Sequence, residues 1–226
     1  MDKIYKDLLE KLGVKKKYTI EDANTAFENN DYANALRIYK LLVEKNDVEA
    51  IYNLGCIYND GEVVEQDKAE AIRLWRLGAE LGEPNSQYNL GYMYEHGEVV
   101  MQDYDEAVKW YRLAAASGKD NAQFNLGVIY DNAYGGYDNK NDAIYWYELA
   151  AKQGYVAAQY NLGHLYMERG ALQNFIKAYM WWDIAAAKGD ANALMHRDII
   201  SDKKFLTVKQ ITEARKLAKE FIDYYE

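Results

Sequence analysis

From residue 50 onward the apolar positions return in a fixed order. A small residue opens each stretch (Ala50, Ser86, Ala122, Ala158), Leu follows four positions later (Leu54, Leu90, Leu126, Leu162), and Tyr four after that (Tyr58, Tyr94, Tyr130, Tyr166). That spacing places the three side chains on one stripe of a helix, here helix A. A polar, glycine-containing connection comes next: Gly61 to Asp67, Gly97 to Asp103, Gly135 to Asn141 and Gly170 to Asn174. A second apolar series predicts helix B through Ala71-x-x-Leu74-Trp75, Ala107-x-x-Trp110-Tyr111, Ala143-x-x-Trp146-Tyr147 and Ala178-x-x-Trp181-Trp182. It closes at Gly82, Gly118, Gly154 and Gly189. Alanine three residues before a large ring sets a gap beside a knob, and the closing glycine suits a left-handed cap.

The dipeptide Leu-Gly fixes the register. Gly55, Gly91, Gly127 and Gly163 stand 36 residues apart, and a period of that length marks tandem helical hairpins. Glycine inside a helix costs about 0.5–1 kcal/mol relative to alanine, so its return in every helix A predicts close approach of the partner helix. Each hairpin leaves one apolar face that only the next can cover. The expected fold is therefore all-α, an α/α superhelical solenoid, right-handed, with repeats at 50–85, 86–121, 122–157 and 158–192. The buried face is expected to hold Tyr58, Tyr94, Tyr130, Tyr166 and the tryptophans.

These residues resemble the Sel1-like repeat family, a relative of the tetratricopeptide repeats. The family order of small residue, Leu-Gly, Tyr, loop glycine and valine, Asp, Ala and closing Gly is met by Ala50, Leu54, Gly55, Tyr58, Gly61, Val64, Asp67, Ala71 and Gly82, and again in the following repeats. Departures sit in the loops, where Val63 and Val99 replace the second glycine and Tyr134-Gly135-Gly136-Tyr137-Asp138 is of another type. By the same resemblance, residues 19–49 are a shortened starting repeat with a turn at Asn29-Asn30-Asp31, so one array spans 19–192. Residues 193–226 resemble the helices that close such arrays: Thr207-x-x-Gln210 is a capping box, and Ile211, Ala214, Ala218, Phe221 and Tyr225 form one stripe. Lys209, Glu213, Lys216 and Glu220 make its polar outer face. Residues 1–18 read as an amphipathic N-terminal helix, with Ile4, Leu8 and Leu12 on one side, and a basic link through Lys15-Lys16-Lys17.

Composition narrows the function. The 226 residues carry a formal charge of −9, which repels phosphate backbones and anionic membrane surfaces, so neither nucleic acid nor membrane is an expected partner. One cysteine, Cys56, cannot form an internal disulfide, and three scattered histidines do not complete a zinc site with it. Asp131 to Asp142 has the length of a calcium loop, yet Ala133 and Gly135 occupy places that need oxygen ligands. No phosphate loop or nucleophile elbow appears. No metal, no cofactor and no enzymatic activity are expected. The N-terminal stretch lacks the unbroken apolar run of a signal peptide or membrane span, so a cytoplasmic monomer is expected.

Resemblance to tetratricopeptide arrays implies that helix A lines a concave groove. The positions flanking Leu-Gly then face a partner: Tyr52, Asn53 and Cys56; Tyr88, Asn89 and Tyr92; Phe124, Asn125 and Val128; Tyr160, Asn161 and His164. Asparagine amides both donate and accept, and can bond an extended backbone of any sequence, while the aromatics add apolar contact. The plainer alternative is that the asparagines bond the neighbouring helix and the rings belong to the core. The resulting expectation is a non-enzymatic scaffold or adaptor for a protein or peptide, with a basic partner favoured by Glu49, Glu95 and Asp131. Two alternatives stay open: an inhibitor or immunity factor that neutralises a toxin or enzyme by direct binding, and a divergent enzyme in which carboxylates or His164 and Cys56 share a closed pocket.

Overall fold

The computed structural model describes residues 17–168 and 173–225. Among these the chain forms twelve α-helices and no strand. They are α1 (Ile20–Glu28), α2 (Tyr32–Val43), α3 (Val48–Asp60), α4 (Lys68–Glu80), α5 (Pro84–His96), α6 (Tyr104–Ala116), α7 (Asp120–Asp131), α8 (Lys140–Lys152), α9 (Val156–Met167), α10 (Phe175–Ala187), α11 (Ala191–Asp202) and α12 (Val208–Tyr225). The helices gather into two compact units, one up to Ser86 and one from Gln87 onward. The amphipathic stretch at Ile4, Leu8 and Leu12, and the connection residue Gly170, lie outside the described residues.

In the N-terminal unit, Thr19 and Asp22 cap α1 reciprocally, the Asp22 amide donating to Thr19 Oγ1 at 3.3 Å and the Thr19 amide to Asp22 Oδ2 at 3.0 Å. The expected turn is present, with Asn30 in the left-handed region at φ 59°. Helices α1 to α4 then pack in succession around Ile38, Tyr39, Ile51, Leu54 and Leu74. In the C-terminal unit, the A-type helices α7 and α9 adjoin each other and α9 adjoins α11, while α8 and α10 pair with them and α12 packs on α10. Leu126, Ile129, Tyr147, Leu162 and Trp182 are fully buried between these layers.

The helix A glycines have a specific reason. A Cβ on Gly55 would stand 2.6 Å from Nε1 of Trp75, and one on Gly91 would stand 2.8 Å from the Tyr111 ring. Gly127 and Gly163 meet Tyr147 and Trp182 more closely still. The second residue of each helix B pair thus packs its ring against the glycine of its own helix A. The connections repeat as well. The amides of Asp67, Asp103 and Asn174 donate to the carbonyls of Tyr58, Tyr94 and Tyr166 at 2.8, 2.9 and 2.7 Å. The side chains of those same residues cap helix B: Asp67 accepts from Glu70, Asp103 from Glu106 and Asn174 from Lys177.

Some expected core positions differ. Tyr130 and Tyr166 are buried, but Tyr58 and Tyr94 are only half-buried. Trp146 is half-buried too, whereas Trp110 and Trp181 at the same position of their repeats are buried. The aberrant third loop forms a 3₁₀ turn, Tyr134–Gly136, stacked on Tyr104 with ring centroids 5.6 Å apart. At the C-terminus Thr207 and Gln210 form the expected capping box, and Lys209, Glu213, Lys216 and Glu220 are exposed. No helix among the described residues is long and apolar enough to cross a membrane.

Candidate functional site

In the C-terminal unit the residues expected to face a partner form a partly exposed stripe along the A-type helices. Tyr88, Asn89, Phe124, Asn125, Val128, Tyr160, Asn161 and His164 are half-buried, as are Tyr52, Asn53 and Cys56 in the N-terminal unit. Tyr92 is the most open, 37% exposed. The leucines next in sequence to the asparagines, Leu126 and Leu162, point about 100° away round the helix and are fully enclosed. The stripe is thus the seam where each helix A emerges from the core.

The asparagines are not idle. Asn125 donates through Nδ2 to the Tyr111 hydroxyl at 2.9 Å, and Asn161 does the same to Tyr147 at 3.0 Å. Each tyrosine passes the bond on: Tyr111 Oη donates to Glu95 Oε2 at 2.6 Å, and Tyr147 Oη to Asp131 Oδ2 at 3.3 Å. In the N-terminal unit, Tyr39 Oη donates to Asn24 Oδ1 at 2.7 Å, and Asn53 Nδ2 donates to the same oxygen at 3.3 Å. In all three cases the tyrosine stands fourteen residues before the asparagine. Fourteen residues before Asn89 the sequence has Trp75, which offers no hydroxyl.

These chains set the electrostatics. Burial, and then the nearby carboxylate, pushes the phenols of Tyr111 and Tyr147 far above their usual range, so both remain hydrogen-bond donors. The expected acidic rim is partly quenched. Asp131 is ion-paired with Lys140 at 2.5 Å, Glu95 accepts from Tyr111, and Glu49 accepts from Asn24 at 3.2 Å. The Asp131–Asp142 loop therefore has its first carboxylate engaged by an ammonium group and a phenol.

His164 lies in a ring cluster that repeat reasoning did not reveal. Its imidazole is 4.7 Å, centroid to centroid, from that of His196 on α11 and 5.3 Å from Trp182, while His196 stacks on Trp182 at 5.0 Å. Tyr160 closes the group at 4.7 Å from His164. Burial first, then the neighbouring His196, holds His164 below the usual imidazole value. Cys56 has other company, with burial raising its thiol above the ordinary range and Tyr52 bonded beside it. Among the described residues no three His, Cys, Asp or Glu side chains stand close enough to hold one metal ion.

Comparison with known proteins fits this construction. The model of a family described as Sel1 repeat matches residues 48–83, 84–119, 120–155 and 156–190. No curated protein matches significantly. Among solved structures, the chain is similar to a Sel1 repeat protein from Oxalobacter formigenes, at 27% identity and a TM-score of 0.72 over 89% of this chain and 84% of that one. It is also similar to a protective antigen of uropathogenic Escherichia coli that displays an SLR fold, at 26% identity and a TM-score of 0.53. That match covers 91% of this chain and 53% of the antigen, about half its length.

Proposed function

The chain belongs to the Sel1 repeat family, and from that premise we propose that it is a non-enzymatic scaffold binding a protein or peptide along the A-helix stripe of its C-terminal unit. Sel1 repeat proteins are generally protein-interaction scaffolds. The observation that carries the reading is the stripe itself. Asn125 and Asn161 are held at fixed register by bonds to the preceding helix B, and Tyr88 and Phe124 pack on the Tyr111 and Tyr147 rings, yet each keeps part of its surface open. A partner meeting such a row encounters side chains already ordered, so little conformational entropy is lost on the receptor side. Asn125 and Asn161 use Nδ2 internally, and the acceptor assigned to a partner's N–H is their side-chain carbonyl oxygen.

Tyr92, the most open ring of the stripe, is the natural place to test this. A photo-crosslinking residue at position 92 is expected to trap a protein in the source cells, whereas the same residue at position 216 on the exposed face of α12 is not. Tyr92→Ala should weaken capture while leaving the melting temperature unchanged, because the ring is not part of the core. Equal crosslinking at both positions would overturn the assignment.

A further inference from the structure

We propose that the N-terminal unit carries a binding site of its own: a cavity that takes one arginine side chain from a protein partner. The cavity, of about 310 Å³, opens between α1, α3 and the α3–α4 connection. Pockets that hold whole small molecules begin at about this size, so it suits one long side chain rather than a folded segment.

Its walls divide by chemistry. Phe27, Ile57 and Val63 form an apolar side, and Glu28, Asp60 and Glu62 place carboxylates on three separate elements around it. All three carboxylates are exposed, whereas Ile57 is buried and Phe27 and Val63 are half-buried. The exposed part of the lining is therefore anionic, and the enclosed part joins Phe27, Ile57 and Val63 to Tyr39, Asn24 and Asn53. An arginine side chain matches that division, with a three-carbon stem for the apolar wall and a planar cation for the carboxylates. The polar part of the lining is already ordered, since Asn24 Oδ1 accepts from both Tyr39 and Asn53.

The chemistry of the lining selects the class of cation. Glu28, Asp60 and Glu62 bring carboxylates from three separate elements to a cavity with an apolar wall. A guanidinium, with five donors in a planar fork, can meet several acceptors at once while lying against apolar side chains. Lysine would satisfy the charge but lacks the planar fork. The open mouth favours a side chain presented on another chain over a free amino acid, whose own carboxylate would meet Glu28, Asp60 and Glu62. The assignment rests on the scaffold reading only for the statement that the partner is a protein, and the two fail separately. The scaffold reading is tested at Tyr92 in the other unit, and the cavity with small probes alone.

Cys56 lines the cavity and is the single cysteine of the chain, so it serves as a reporter. In the full-length protein, its slow alkylation by excess iodoacetamide at about pH 9.5, chosen because burial raises the thiol, is followed with and without N-acetylarginine methylamide. The expected result is a slowing of about threefold at saturating probe, together with shifts of the Asn24 and Asn53 side-chain amide resonances. The neutral isostere N-acetylcitrulline methylamide should do neither, free arginine should act more weakly, and the lysine analogue should fall between. The variant Asp60→Asn/Glu62→Gln, altered only at exposed positions, should keep its melting temperature and lose the response to the arginine probe. Equal effects of arginine and citrulline probes, a response that survives in the variant, or neither protection nor amide shifts would each overturn the proposal.

Discussion

Replacing Tyr111 by Phe removes one oxygen from a fully buried ring and tests whether the amide–phenol–carboxylate chain holds the C-terminal unit together. That oxygen donates to the Glu95 carboxylate at 2.6 Å and accepts from Asn125 at 2.9 Å. A hydrogen bond to a charged group contributes about 1.5–3 kcal/mol and a neutral one about 0.5–1.5. Glu95 and Asn125 are both half-buried and regain some water, so the expected loss is about 2–3 kcal/mol rather than the full sum. Tyr147→Phe is the internal control. Its hydroxyl reaches Asp131 at a longer 3.3 Å, and Lys140 already neutralises that carboxylate, so about 1 kcal/mol is expected. Both tyrosines lie in the same compact unit, so one urea transition reports both variants, with an unchanged m-value. Equal losses, or a larger loss at Tyr147, would refute the reasoning, since neither ring leaves a cavity when only the oxygen is removed.

Other consequences are separately measurable. Gly127→Ala should destabilise by about 1–3 kcal/mol in chemical denaturation despite the better helix propensity of alanine, because the added Cβ meets the Tyr147 ring. Asn125→Ala and Asn161→Ala should each cost about 1 kcal/mol, and Asn89→Ala clearly less, since the sequence supplies no phenol fourteen residues before it; equal losses would show that the phenol is irrelevant. Thr207→Ala should cost about 1 kcal/mol and speed hydrogen exchange in the first turn of α12. His164 has its folded-state value held below 6.5, so the folded protein binds that proton less readily than the unfolded chain. Its stabilising contribution is complete above 6.5 and declines as pH falls below it, and His164→Gln should flatten the melting-temperature profile in that range.

The architecture was legible because its causes are local and repeated. Glycine at every 36th position implied a close neighbour, and the structure names it as the second ring of helix B. Asp67, Asp103 and Asn174 read as loop ends and prove to do two jobs, closing the connection through the backbone and capping helix B through the side chain. Less was legible where one residue's role depends on another repeat. Gln123 and Gln159 are buried and donate to Ala115 and Ala151 carbonyls at 3.2 Å, a second amide series with no apolar period to announce it. His196 could not be placed beside His164 at all, since α11 lies outside the repeated pattern. The Tyr-to-Asn spacing of fourteen was present in the sequence. It becomes meaningful only once helix B of one repeat is known to touch helix A of the next.

That spacing also separates what the stripe does for the fold from what it offers a partner. At Asn125 and Asn161 one amide donor is spent on a phenol whose own proton is spent on a carboxylate. On the scaffold proposal a partner there would meet a fixed amide, and altering that amide also removes its bond to the phenol. At position 89 the pattern Asn-Leu-Gly persists although position 75 is Trp, and the adjacent Tyr92 is the most exposed ring of the row. On the scaffold proposal, binding and stability are coupled at Asn125 and Asn161 and uncoupled at Asn89. Paired measurements of affinity and melting temperature on Asn89→Ala and Asn125→Ala can therefore distinguish recognition from support, which a triple substitution cannot do.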